Sequence, residues 1–391
     1  MNFEEIRELE DHTQVATYAK MPLAVEKGTG SWIWTSEGER YLDLYGGHAV
    51  CAVGHAHPAV AKAIGEQTEK LLFYSNLVYS EVRAATAEKL VSLAPPALNK
   101  AFFCNSGTEA NESAMRMARL ATGRAKVISF TGSFHGRTAD AISASFLGRY
   151  RELGRPNVPG HLEAEFGDIK SVRKLADEKT AAIILEPIQS MAGMREAEPT
   201  FFQALRKLCD EHGIILIFDE IQTGIGRTGE WFFSGSSNAG GIQPDIVSLA
   251  KSLGSGVPVG ACLVNENIAS HIKVNDLGTT FGGGMLAMAA VRATLEAIET
   301  EDMIANARAI ELHLREHLTG IPGIKAIRGK GCLIGIQFDS PCRVINEKLF
   351  AKHIISGMSS DPCVLRLLMP MNIRKEELDI FIDAVKEISH V

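Results

Sequence analysis

The feature that most constrains this chain is an alternation, from about residue 50 to residue 290, of short apolar runs with stretches of helical periodicity. Strands joined by helix-length crossovers pair in parallel and need both faces covered, so the pattern predicts an α/β core. The clearest strands are KVISF (Lys126 to Phe130), AIIL (Ala182 to Leu185), IILIF (Ile214 to Phe218) and IVSL (Ile246 to Leu249). Each runs into a polar or Gly-rich turn. Open α/β sheets bind ligands beyond the carboxyl ends of their strands, so residues just after these runs are the first functional candidates.

Beyond Met285 the pattern changes. Leu286 to about Leu318 is helical, the short Gly-rich strands of IRGKGCLIGIQF and CVLRLLMP follow, and an amphipathic helix closes the chain. With 391 residues there is room for a large domain and a smaller one. The expected division is a large ligand-binding domain over 51–285 and a small α+β domain over 286–391. Residues 1–50, with a hairpin pattern around Glu37-Gly38, are expected to pack with the small domain.

Charge narrows the partners. A formal net charge of −7, with no Lys/Arg cluster, gives a phosphate backbone little to bind, so nucleic acid is not expected. The acidic, polar start and the lack of a membrane-length apolar run lead to the expectation of a cytoplasmic protein away from membranes. Seven scattered cysteines without a CxxC pair are expected to be buried reduced thiols. His48, His55 and His57 lie near a Gly-rich turn, unevenly spaced and without carboxylates at ligand spacing; loop or capping roles, and no metal, are expected.

Four segments carry chemistry. The strand ending at Phe218 delivers Asp219 and then Gln222, and the next apolar run ends at Lys251 in a loop low in bulky side chains. An aldehyde cofactor needs a lysine for its Schiff base and an anion to keep its ring nitrogen protonated, and Lys251 and Asp219 meet those needs. Ser106-Gly107-Thr108 opens a helical run, where unpaired N–H groups and the helix dipole attract phosphate. Phe134, His135 and Arg137 follow KVISF: an aromatic ring to stack on a flat cofactor and a planar fork to hold a carboxylate. Each segment alone has an ordinary structural explanation.

Together, NSGTEANE, SFHGRT, LEPIQ, IFDEIQTGIGRTG and LAKSLGSGVPVGA occur in one order. In this the chain resembles the class III, fold-type I pyridoxal-phosphate aminotransferases, and YLDLYGGHAVCAVGHAHP, SNLVYS and VLRLLMP extend the likeness over almost its whole length. The resemblance implies a mostly parallel seven-stranded sheet and a homodimer with shared active sites. It implies pyridoxal 5'-phosphate on Lys251, with Asp219 at the ring nitrogen, Gln222 near the phenolic oxygen and Phe134 on the ring. Gly107 and Thr108 would hold the phosphate, joined by Thr280 from the neighbouring subunit. Arg137 would take the substrate carboxylate beside Thr279, and Glu186 with Arg366 would form a switch that lets one pocket take an ω-amine and then a dicarboxylate.

The expected reaction moves the ω-amine of an acetylated or succinylated ornithine to 2-oxoglutarate, in arginine biosynthesis. Ornithine, 4-aminobutyrate or a lysine-pathway intermediate would use the same core, and related scaffolds support aminomutase or decarboxylase chemistry. Two places depart from the family. Gly284-Met285 stands where it commonly reads Asn-Pro, and YGGHAV (Tyr45 to Val50) replaces a more apolar segment.

Overall fold

The computed structural model describes residues 1–389, so the last two residues of the expected 286–391 unit lie outside the described residues. Seven strands form the central sheet, in the order Lys100–Cys104, Gly260–Val264, Ile246–Leu249, Ile215–Asp219, Thr180–Leu185, Lys126–Phe130, His161–Ala164. Gly260–Val264 runs antiparallel to both neighbours, and the other adjacent pairs are parallel. Every residue of Thr180–Leu185 is buried, as a strand covered on both faces requires.

Local chemistry sets the covering helices. Gly107–Thr122 starts on the Ser106 side chain, which accepts from the Glu109 N–H at 3.3 Å, and stops at Gly123, whose φ of +67° suits glycine. Its buried face carries Ala110, Ala114, Met115, Met117 and Ala118, but also Asn111. Pro199–His212 has proline in its first turn and ends at Gly213 with φ +60°.

The helical run after residue 285 is two helices, Met285–Thr300 and Met303–Leu318, broken where Asp302 takes φ +49°. A second sheet orders Ile324–Lys330, Leu333–Phe338, Val364–Leu367 and Gly357–Met358 antiparallel. A third joins distant parts of the chain. Val25–Thr29, Trp32–Thr35 and Arg40–Asp43 form a meander, and Ile354–Ile355 adds in parallel to its last strand.

Arg227 also links distant segments. Its side chain is wholly buried and donates to the carbonyls of Met369 and Ala49 and to Ser252 Oγ. All seven cysteines are free; five are buried as expected, while Cys51 and Cys363 are partly exposed. Among the described residues no helix is long and apolar enough to cross a membrane.

Candidate active site

The strand ends converge on one edge of the sheet. Phe130 leads to Phe134 and Arg137, Leu185 to Glu186, Asp219 closes its own strand, and Leu249 leads to Lys251. Between them lies a cavity of about 800 Å³, lined in part by Gly107, Thr108, Phe134, Arg137, Glu186, Asp219, Gln222 and Lys251. Eight of the eleven residues singled out in the sequence thus share one wall.

At its floor, Asp219 is buried and fixed from both sides. Its Oδ2 accepts from Asn111 Nδ2 at 2.7 Å and meets His135 Nδ1 at 2.8 Å, and its Oδ1 accepts from the Ile221 N–H at 3.1 Å. A second tier holds the first: Ser248 Oγ donates to Asn111 Oδ1 at 2.5 Å, and Asn111 Nδ2 also donates to the His135 carbonyl at 2.8 Å. Ser248 pairs with Asp219 across neighbouring strands. Such a network gives a buried carboxylate one orientation.

Lys251 begins a short 3₁₀ turn at φ +34°, a left-handed backbone that a non-glycine residue adopts only under constraint. Burial, the main cause, and the nearby Arg366 push its ammonium below the usual lysine range, while Asp219 and Glu186 act the other way. A lysine so placed can lose its proton. Glu186 accepts from the Phe134 N–H at 2.8 Å, and burial, reinforced by Asp219, raises its carboxyl to about 8.

The phosphate-type features also meet here. Thr108 Oγ1 lies 2.6 Å from Thr138 Oγ1 at the open end of the Gly107–Thr122 helix. Glycine is required beside it at Gly136, where a Cβ, at φ +134°, would stand 2.2 Å from Thr108 Oγ1; one on Gly107 would press on the flexible Ile221 Cδ1 at 2.8 Å. Gln222 Oε1 is buried without a partner. Phe134 packs edge-on to Tyr150, with ring centroids 5.1 Å apart, and the exposed Arg137 lies 5.2 Å from the Tyr150 ring.

Three candidates stand apart from the cavity wall. Arg366 is buried beside it and donates to the Met358 carbonyl at 2.8 Å, Ser190 Oγ at 3.2 Å and Tyr45 Oη at 2.8 Å; its hydrogen bonds go to these groups and not to Glu186. Thr279 Oγ1 accepts from Asn105 Nδ2 at 2.8 Å outside the wall, and Thr280 is exposed. At the family's Asn-Pro position, Gly284 caps the Met285–Thr300 helix without a side-chain bond, and Tyr74 N–H donates to Met285 Sδ at 3.2 Å.

Sequence reasoning passed over Asn111 and Ser248. A signal existed, because each is a polar residue in an otherwise apolar periodic run, and such a residue becomes buried and needs a partner. Of the three histidines, His55 bonds Asp43 at 2.8 Å, His57 bonds Glu301 at 2.9 Å, and His48 lines the cavity.

Comparison with known proteins agrees with this layout. An acetylornithine aminotransferase of Methanopyrus kandleri is 42% identical over 377 residues, 95% of this chain and 96% of that one. A Toxoplasma gondii ornithine aminotransferase structure, described with partial occupancy of PLP at its active site, superposes with TM-score 0.90 at 28% identity over 99% of this chain and 94% of its own. The Elizabethkingia anophelis acetylornithine aminotransferase gives 0.85 at 27%, covering 99% and 98%. The family model described as "Aminotransferase class-III" matches residues 13–389, and the chain belongs to that family of fold-type I, pyridoxal-phosphate-dependent aminotransferases.

Proposed function

We propose that this enzyme transfers the ω-amino group of an N-acylated ornithine, acetylornithine or its succinylated analogue, to 2-oxoglutarate, giving the semialdehyde and glutamate in arginine biosynthesis. The observation that carries the reading is one cavity with a desolvated lysine and a fixed carboxylate at its floor and Arg137 at its rim. The identity to acetylornithine aminotransferases over nearly the whole chain supports the choice of donor.

The cofactor is pyridoxal 5'-phosphate, and the residues fit it. Gln222 Oε1 is a buried acceptor awaiting a donor, and a cradle that a Cβ at Gly107 or Gly136 would fill lies at the open end of a helix. When bound, the cofactor supplies a carbonyl that condenses with amines and a protonated ring that withdraws electrons. Gly107 and Thr108 would hold its phosphate, Phe134 would cover its ring, and Asp219 would keep the ring nitrogen protonated. Lys251 Nζ, uncharged when free, takes a proton from the amine-bearing carbon of the donor and carries it across the site. Arg137 binds the donor's carboxylate; Glu186 and Arg366 serve the dicarboxylic acceptor, with Thr279 beside the substrate.

The working unit in this reading is a cytoplasmic homodimer in which Thr280 reaches the partner's phosphate site. Thr280 and Phe281 are exposed, as are Leu71, Leu72, Tyr74, Leu77 and Tyr79, an apolar surface that a second chain would cover. Within each chain we read 51–285 as the cofactor-binding domain and 286–391 as the small domain, joined by 1–50. Steady-state assays with acetylornithine, succinylornithine, ornithine and 4-aminobutyrate test the function. The highest kcat/KM is expected for an acylated ornithine, and activity confined to 4-aminobutyrate would remove the proposal.

A further inference from the structure

The segment Gly46 to Ala49 holds four consecutive residues at positive φ, +53°, +56°, +71° and +64°. Glycine accounts for the first two, but His48 and Ala49 carry side chains whose Cβ disfavours this backbone. The turn persists because its surroundings over-determine it. The Asp43 carboxylate accepts from the N–H groups of Tyr45 (2.8 Å), Gly46 (2.9 Å) and Gly47 (3.1 Å), and is itself bonded to His55. A Cβ on Gly46 would stand 2.6 Å from the Leu368 carbonyl oxygen, and the Ala49 carbonyl accepts from both Arg227 and Ser252.

Such constraint marks a side chain aimed for a purpose. The one aimed here is His48, which lines the cavity together with Tyr18, Arg137 and Tyr150. The Tyr45 ring supports it edge-on at 5.0 Å, and Tyr45 is pinned in turn by Arg366 at 2.8 Å and pressed against Gly357, where a Cβ would meet its ring. Desolvation by the cavity wall, with Lys251, Arg366 and Arg137 opposing any charge, holds the imidazole down to about 4, so the ring is neutral at working pH. A neutral imidazole offers one N–H and one acceptor and no net charge, which suits an amide better than a carboxylate.

We infer that His48 is a specificity-determining residue whose ring N–H donates to the acyl carbonyl oxygen of the amino donor while Arg137 holds the adjacent carboxylate. The inference rests on the proposed N-acylornithine reading. Free ornithine lacks that oxygen and cannot make the bond.

Two substitutions separate this role from support of the turn. His48→Gly keeps the positive φ at no steric cost but removes the ring, and His48→Asn tolerates the same backbone while restoring an N–H donor. In His48→Gly the ratio of kcat/KM for acetylornithine to that for ornithine is expected to fall about tenfold, the scale of one hydrogen bond, with no loss of thermal midpoint. His48→Asn is expected to recover most of the ratio. An unchanged ratio in His48→Gly, or no recovery in His48→Asn, would overturn the inference while leaving the reaction standing. Failure of the unmodified enzyme to turn over either acylated ornithine would overturn the proposed reaction, and the inference with it.

Discussion

The floor and the rim of the cavity are built on opposite plans. At the floor, Asp219 and Ser248 come from strand ends and Asn111 from one long helix, with His135 from the loop after Phe130; all four are buried and joined by short bonds. At the rim, Tyr18, His48 and Arg137 come from loops and keep exposed faces. In the proposed reading the floor carries what every amino transfer with this cofactor needs, and the rim carries what distinguishes one amine from another. Rigid elements support the first because a misplaced proton carrier forfeits the reaction, whereas loops change the second without disturbing the sheet.

Breaking the floor should produce the largest effects. Lys251→Ala is expected to lower kcat by at least about 10³-fold and to abolish the visible absorbance of lysine-bound cofactor in the purified protein. Asn111→Ala removes both N–H donors and the acceptor for Ser248. It is expected to lower kcat about 10-fold to 100-fold and stability by about 1–3 kcal/mol in urea titrations, because buried partners are left unpaired. A variant with wild-type kcat and midpoint would mean that Asp219 needs no such support.

At the rim the signature reverses. Arg137→Lys should raise KM for the donor about tenfold by losing the bidentate fork, while absorbance and thermal midpoint stay put. The smallest effect should come from Glu186, which faces both regions. Its carboxyl is raised from about 4.5 to about 8, so its favourable contribution to folding is complete below pH 4.5 and is lost as pH rises through about 8. The midpoint of Glu186→Gln relative to the parent is therefore expected to climb between those values in a thermal pH series, and a flat difference would contradict a buried carboxyl that holds its proton up to about 8.

The same contrast decides what could be read from the sequence. KVISF and IVSL are strands over the expected residues, because a continuous apolar run between turn residues has few other uses; the IILIF strand ends one residue later, at Asp219. The positions of Lys251 and Asp219 are legible for the same reason, since Asp219 closes a strand and Lys251 follows one. Arg366 sits on a strand as well, but its hydrogen bonds to Tyr45 and Ser190, not to Glu186, depend on residues more than 170 positions away. Asn111 reads as one polar letter in a helix, and its purpose exists only once Ser248 and Asp219 lie beside it. Short-range pattern specifies elements, and the bonds between distant elements come from packing that no local window contains.

Arg227 imposes an order of events on the making of this enzyme. Synthesis makes the earlier segments first, yet the guanidinium that grips Ala49 and Ser252 takes its other acceptor from Met369. Until the segment around Met369 is in place, a buried cation is short of a partner, and the turn that presents His48 and the segment beside Lys251 lack their common support. A nascent or truncated chain with the whole central sheet would hold every group that handles the proton and still not be a finished enzyme.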